Sequence, residues 1–95
     1  MEYDAFKSSL AGAAPPAGVS LPAQALWWQA KGDWHRAHRC CQDSHNEKSA
    51  WAHAYLHRVE GDQRNAAGWY GRAGKTPATT PLDQEWEEIA KAVLA

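Results

Sequence analysis

The sequence is short of several residue types, and each shortage excludes a class of protein. Its two cysteines, Cys40 and Cys41, are adjacent, so a disulfide cannot join distant parts of the chain. No segment approaches the run of about 18 apolar residues that a membrane-spanning helix requires. The first residues have neither the basic start nor the apolar run of a secretory signal. We therefore expect no membrane association and a reducing, cytoplasmic location.

An excess of charge of one sign is also missing. Lys and Arg number 10 against 11 Asp and Glu, which leaves a net charge of −1. Because binding to nucleic acid relies on a clear positive excess, nucleic acid is not expected as a partner. Leu, Ile, Val and Phe together supply only 11 of the 95 residues, so the core cannot be mainly aliphatic.

Alanine and large aromatic residues take the place of the aliphatic ones. The chain contains 19 Ala, 6 Trp and 3 Tyr in 95 residues. Ala favours helix, and each aromatic side chain can bury about 150–250 Å². A chain of this length forms one small domain. The composition therefore predicts a compact all-α domain in which small Ala contacts surround aromatic side chains.

Apolar periodicity and capping residues predict six helices. They cover residues 3–10, 20–31, 34–45, 47–60, 63–74 and 82–95. Ser20 is expected to cap the second helix. Thr80 is expected to cap the last helix, with Pro81 at its first position and Asp83 completing a capping-box-like pair.

Two segments of the chain match at a spacing of 29 residues. The matched pairs are Ser20 and Ser49, Ala23 and Ala52, Ala25 and Ala54, Gly32-Asp33 and Gly61-Asp62, and Ala37 and Ala66. In each Gly-Asp pair, the glycine can end a helix in the left-handed conformation and the aspartate can cap the next helix. The sequence therefore predicts tight structural turns at Gly32, Asp33, Gly61 and Asp62.

Two stretches resemble the tetratricopeptide repeat, a helix–turn–helix unit of about 34 residues. They read ALWWQAKGDWHRA at 25–37 and WAHAYLHRVEGDQRNAAGWY at 51–70. Ala66 and Tyr70 match the small and aromatic positions of the family's second helix, and Pro77 stands near its closing proline. Cys41 replaces the aromatic residue in the first unit, whose spacing is shorter than the family's. A related short-repeat helical solenoid fits the pattern equally well.

The resemblance implies antiparallel helical hairpins stacked as a two-unit array over residues 20–78. A short N-terminal helix and linker at 1–19 and a capping helix at 79–95 would complete the single domain. Two units leave open faces, which these flanking segments or a second copy of the chain in a homodimer would cover. In the family, the first helix of a unit lines a concave groove that binds extended peptides.

Basic and aromatic residues share one face of that helix in the second unit. Trp51, Tyr55 and Arg58 follow at helical spacing, and Lys48 lies one turn earlier. Lys48 and Arg58 would hold a carboxylate of the partner, and the aromatics would supply apolar contact. These four residues form the predicted peptide groove. The alternative is that the two aromatics belong to the core.

Two histidines have a spacing typical of metal ligands. His53 and His57 are four residues apart on a predicted helix, and Glu60 is one turn further on. His38 or Cys41 from the preceding helix would complete a set of four. The sequence therefore offers a candidate divalent-metal site at His53, His57 and Glu60. The alternative is that His57 fills a packing position and His53 lies on the helix surface.

No complete catalytic set accompanies these residues. We expect a non-enzymatic helical-repeat scaffold that binds a protein or peptide partner and carries no cofactor. The alternative is a metal- or small-ligand-binding protein, with an enzyme included, that uses His53, His57 and Glu60. A third hypothesis is an oligomer that responds to pH, because five His would titrate near pH 6.5.

Overall fold

Helices account for all of the regular structure in the computed structural model, which describes residues 1–95. The helices are α1 (Tyr3–Ser8, followed by a 3₁₀ turn at Ser9–Ala11), α2 (Leu21–Ala30), α3 (Trp34–Gln42), α4 (Glu47–Val59), α5 (Gln63–Arg72) and α6 (Leu82–Leu94). The predicted all-α class is confirmed. The longest helices contain 13 residues, and no helix has the length and apolar character needed to cross a bilayer.

Two turns of the same design join α2 to α3 and α4 to α5. Gly32 and Gly61 have φ of +86° and +88°, in the left-handed region. Asp33 and Asp62 follow them, and each carboxylate accepts a hydrogen bond from the backbone N–H three residues later, at 3.0 and 3.1 Å. These bonds satisfy N–H groups that the start of a helix leaves free. Each turn therefore folds one helix back against its neighbour.

Substitution of glycine by alanine should have opposite effects on stability at Gly61, which is in a left-handed turn, and at Gly68, which is inside a helix. Gly61→Ala should lower the free energy of unfolding by about 1–2 kcal/mol, because an L side chain is strained at this φ. No atom lies within 4 Å of the added Cβ, so the cost is one of backbone conformation. Gly68→Ala in the interior of α5 should instead raise stability by about 0.5–1 kcal/mol. Urea unfolding of both variants tests this, and shifts of the same sign would contradict it.

Helix α6 contacts α1, α2 and α4, and the core lies between α6 and these three helices. Trp27, Phe6, Leu26 and Ile89 are completely buried there. Trp86 of α6 fixes the arrangement, since its indole N–H donates to the carbonyl oxygen of Leu26 at 2.9 Å. Small residues allow the close approach of the helices. The buried alanines are Ala23, Ala25, Ala37, Ala50, Ala52, Ala54, Ala66, Ala73 and Ala90.

The start of α4 departs from the repeat. Ser20 caps α2 by accepting from the N–H of Ala23, but α4 begins earlier and is capped by Asn46, whose side chain accepts from the N–H of Ser49. Ser20 and Ser49 are therefore not equivalent caps. Helix α3 ends at Gln42 and not at residue 45, and residues 43–46 connect it to α4.

The predicted cap of α6 is wrong. Thr80 makes no capping bond, and its hydroxyl oxygen is buried without a partner. The N-cap residue is Pro81, in an extended conformation with φ −56° and ψ 149°. Asp83 accepts from its neighbour Gln84 at 2.9 Å and does not complete a capping box. The reason is a tertiary contact, because the guanidinium of Arg58 donates to the carbonyl oxygen of Thr80 and fixes the chain at this point.

Candidate functional site

The four residues of the predicted peptide groove do not share an open surface. Lys48 is exposed and Tyr55 is buried with 5 % of its surface accessible. Burial raises the pKa of Tyr55 to about 12. Trp51 and Arg58 both point their donor groups at Glu85 of α6. The structure thus fills this face with its own last helix.

Glu85 is completely buried and accepts hydrogen bonds from three side chains. Arg58 donates to Oε1 at 2.8 Å, while Trp51 and Tyr70 donate to Oε2 at 3.1 and 2.5 Å. Burial, the hydrogen bond to Glu85 and the charge of that carboxylate raise the pKa of Tyr70. The carboxylate that the sequence assigned to a partner is therefore supplied from within the chain. The position of Glu85, four residues before Ile89 on the buried stripe of α6, is the signal that sequence reasoning missed.

An open cleft of about 860 Å³ lies between α1, the end of α2, α4 and the start of α6. Leu10, Tyr55 and Trp86 contribute apolar and aromatic surface to it. Leu82 at its edge is 40 % exposed, which is unusual among the large apolar residues of this chain. The charged lining residues are Lys7, Asp83, Glu87 and Glu88. Gln29 also lines the cleft, and its Oε1 is buried without a hydrogen-bond donor.

A second constellation joins α3 to α4 through three histidines. His38, His53 and His57 each offer a ring nitrogen, and these atoms lie within 4.8 Å of one another. Nε2 of His53 is 2.9 Å from Nε2 of His38. Trp34 stacks on His38, with ring centroids 4.8 Å apart, and Trp69 stacks on His53 at 3.7 Å. The aromatic walls therefore hold two of the three imidazoles in place.

Burial changes the protonation of two of these rings. Desolvation, then the charges of His38 and His57, lowers the pKa of His53 to about 3. Desolvation and the charge of His57 also lower the pKa of His38. Both rings are neutral at pH 7. His53 has only 4 % of its surface accessible, so the interpretation that placed it on the helix surface is wrong.

The residues that lie together in the structure differ from the metal site of His53, His57 and Glu60 that the sequence predicted. His53 and His57 are joined by His38, whereas Glu60 forms a separate group with His57 and Asp62. Glu60 lies 2.5 Å from Nδ1 of His57 and acts as the hydrogen-bond partner of that ring. Helical spacing placed Glu60 one turn along the same face, but it could not show which atom of His57 the carboxylate would reach.

The cysteines belong neither to the cleft nor to the histidine cluster. Cys41 lies in the hydrophobic core, and burial raises its pKa to about 12. Its sulfur does not belong to the group of donor atoms around His53 and His57, so it does not complete that set. Cys40 is half-buried, and burial together with the charge of Asp43 raises its pKa as well.

Comparison with protein-family models, with curated proteins and with solved structures finds no match to this chain. The cleft and the side-chain clusters are therefore the features that point to a function.

Proposed function

We propose that this protein is a non-enzymatic helical scaffold that binds a segment of a partner protein. The observation that carries the proposal is the open cleft between α1, α2, α4 and α6, with its volume of about 860 Å³. A large, partly apolar concave surface with a few polar groups is the usual place for a ligand. The cleft replaces the groove of Lys48, Trp51, Tyr55 and Arg58 as the binding surface in this proposal.

The two Gly-Asp hairpins support the scaffold part of the proposal. Ala25 and Ala54 occupy matched positions and are completely buried. Ala37 and Ala66 form a second matched pair, and at most 1 % of the surface of either residue is accessible. We interpret the hairpins as two units of an array that resembles tetratricopeptide repeats. In this interpretation α6 is the capping helix, since it packs on α4 and α2. Its Glu85 closes the face on which a further unit would otherwise stack.

The charges of the cleft indicate the chemistry of the partner. Glu87 is paired with Lys91 at 2.8 Å, but no basic group lies within 4.0 Å of the carboxylates of Asp83 and Glu88. A peptide with a Lys or Arg next to an aliphatic or aromatic residue would fit this lining, because cations pair with carboxylates and the apolar side chain would contact Leu10 and Leu82.

Selection from a library of short displayed peptides tests this proposal. We expect enrichment of peptides that combine an apolar residue with Lys or Arg. Leu82→Ser and Asp83→Lys should each weaken a selected peptide at least tenfold in a fluorescence-polarisation assay. Leu82 is exposed, so Leu82→Ser should keep the free energy of unfolding within about 0.5 kcal/mol of the wild type. Asp83→Lys should lower it by about 1 kcal/mol, because Asp83 lies in the first turn of α6, where the helix dipole favours a carboxylate.

Glu47→Lys provides a matched control for the charge reversal, because Glu47 is exposed on α4 and does not line the cleft. Its affinity for the selected peptide should change less than twofold. Enrichment of acidic peptides, or equal effects of Asp83→Lys and Glu47→Lys, would reject the cleft as the binding surface. Light scattering of the same samples shows whether a homodimer covers the cleft instead.

A further inference from the structure

We propose that His38, His53 and His57 bind one divalent transition-metal ion of the Zn²⁺ or Cu²⁺ class. The site lies on α3 and α4 and shares no residue with the cleft. It therefore does not depend on the proposed interaction with a partner protein. Imidazole nitrogen is a preferred ligand of these ions, whereas Ca²⁺ and Mg²⁺ prefer oxygen.

The distances between the rings suit one ion. Nitrogens bound to Zn²⁺ at about 2.0–2.1 Å in a tetrahedron lie roughly 3.3 Å apart. Here His53 and His38 approach to 2.9 Å, and the donor atoms of all three rings lie within 4.8 Å of one another. The ring centroids are 4.6, 4.9 and 5.3 Å apart. The widest separation, at most 4.8 Å, must shorten by up to about 1.5 Å, which rotations of two rings can share.

Glu60 prepares His57 for this role. Its carboxylate oxygen lies 2.5 Å from Nδ1 of His57 and accepts a hydrogen bond from the N–H at this nitrogen. The bond fixes the tautomer that leaves the lone pair on Nε2 free. A carboxylate bonded to the second nitrogen of a ligating histidine is the common arrangement at metal sites, where it orients the ring and makes it more basic. Glu60 is thus a positioning residue and not a ligand.

The surroundings hold the rings of His38 and His53 before an ion binds. Trp34 and Trp69 stack on His38 and His53. The indole N–H of Trp34 donates to the carbonyl oxygen of Leu56 at 2.8 Å, which fixes α3 against α4. Ligands that are already ordered lose less conformational entropy on binding. Three protein nitrogens also leave one position of a tetrahedral ion for water or a small anion.

The test uses untagged protein that has been stripped with a chelator and titrated with Zn²⁺ in competition with a chromophoric chelator. We expect one Zn²⁺ per chain and a rise in the melting temperature of the wild type. His57→Gln and His38→Gln should each weaken Zn²⁺ binding at least tenfold. Glu60→Gln should weaken it about 10–100-fold, as is typical of lost outer-shell partners. Binding of Co²⁺ should give the visible ligand-field bands of a tetrahedral site.

The two remaining histidines provide matched controls. His35 and His45 are exposed and belong to neither group of neighbouring donor atoms. His35→Gln and His45→Gln should bind Zn²⁺ as the wild type does. Equal losses in these controls, or no stoichiometric Zn²⁺ uptake by the folded wild type, would overturn the proposal. Should His57→Gln fail to fold, His38→Gln and Glu60→Gln decide the question, because His38 is half-buried and Glu60 is exposed.

Discussion

Glu85→Gln is expected to lower the free energy of unfolding by about 3–5 kcal/mol, the usual cost of breaking a buried ion pair. The substitution leaves the guanidinium of Arg58 without its charged partner while only 12 % of that side chain is accessible. Both carboxylate oxygens of Glu85 accept hydrogen bonds, Oε1 from Arg58 and Oε2 from Trp51 and Tyr70. The amide N–H₂ of glutamine would therefore face a donor in either orientation. Chemical unfolding followed by circular dichroism measures the difference.

A neighbouring glutamate separates this effect from a general loss of charge in α6. Glu88 is exposed and has no basic partner, so Glu88→Gln should change stability by less than about 0.5 kcal/mol. In the double variant Arg58→Met and Glu85→Leu, apolar side chains replace both members of the pair. We expect it to be more stable than Glu85→Gln, because no buried charge is left unpaired. Equal stabilities of Glu85→Gln and Glu88→Gln would show that the buried network contributes little.

Acid should unfold the metal-free protein through the histidine cluster. The pKa of His53 falls from 6.5 to about 3 on folding, so between these values the unfolded chain binds a proton that the folded chain does not. The stabilising effect is fully present above pH 6.5 and is lost as the pH falls. One such group changes the free energy of unfolding by about 1.4 kcal/mol per pH unit, or about 2 kcal/mol between pH 6.5 and 5. The lowered pKa of His38 acts in the same direction.

Urea unfolding at a series of pH values in the presence of a chelator measures this slope. His53→Gln keeps a polar group near His38 but cannot titrate, so its stability should depend less on pH over the same range. A slope equal to that of the wild type would assign the acid effect to other groups. Because the folded chain keeps His53 neutral near pH 6, this residue adds no charge through which an oligomer could respond to pH there.

Local features of the sequence were sufficient to predict the helices and their turns. Gly32-Asp33 and Gly61-Asp62 combine a residue that tolerates positive φ with a capping side chain, and both act within a few residues. Apolar periodicity likewise predicted α6, in which Trp86 and Ile89 are buried. The error at Thr80 has a long-range cause, since Arg58 is 22 positions away in the chain.

The candidate sites were predictable only in part. The spacing of His53 and His57 determined that both rings leave α4 on the same side. Which group completes the set depends on how α3 packs against α4, and the structure brings His38 there while Cys41 enters the core. Arg58 and Trp51 are residue types that are common in binding surfaces, but their N–H groups can donate equally well to a carboxylate of the same chain. Sequence cannot distinguish these cases without the position of Glu85.

The sequence by itself determined the all-α class, the two Gly-Asp turns and the Ala-rich, aromatic core, because these depend on backbone preferences and on periodicity along one segment. Only the tertiary structure decided which polar side chains face each other. In the folded chain, Trp51 and Arg58 of the expected peptide groove contact α6, and a cleft lies beside α1. Three histidines from α3 and α4 lie close together. These outcomes depend on the angles at which whole helices pack, and the chain encodes those angles through all its contacts at once.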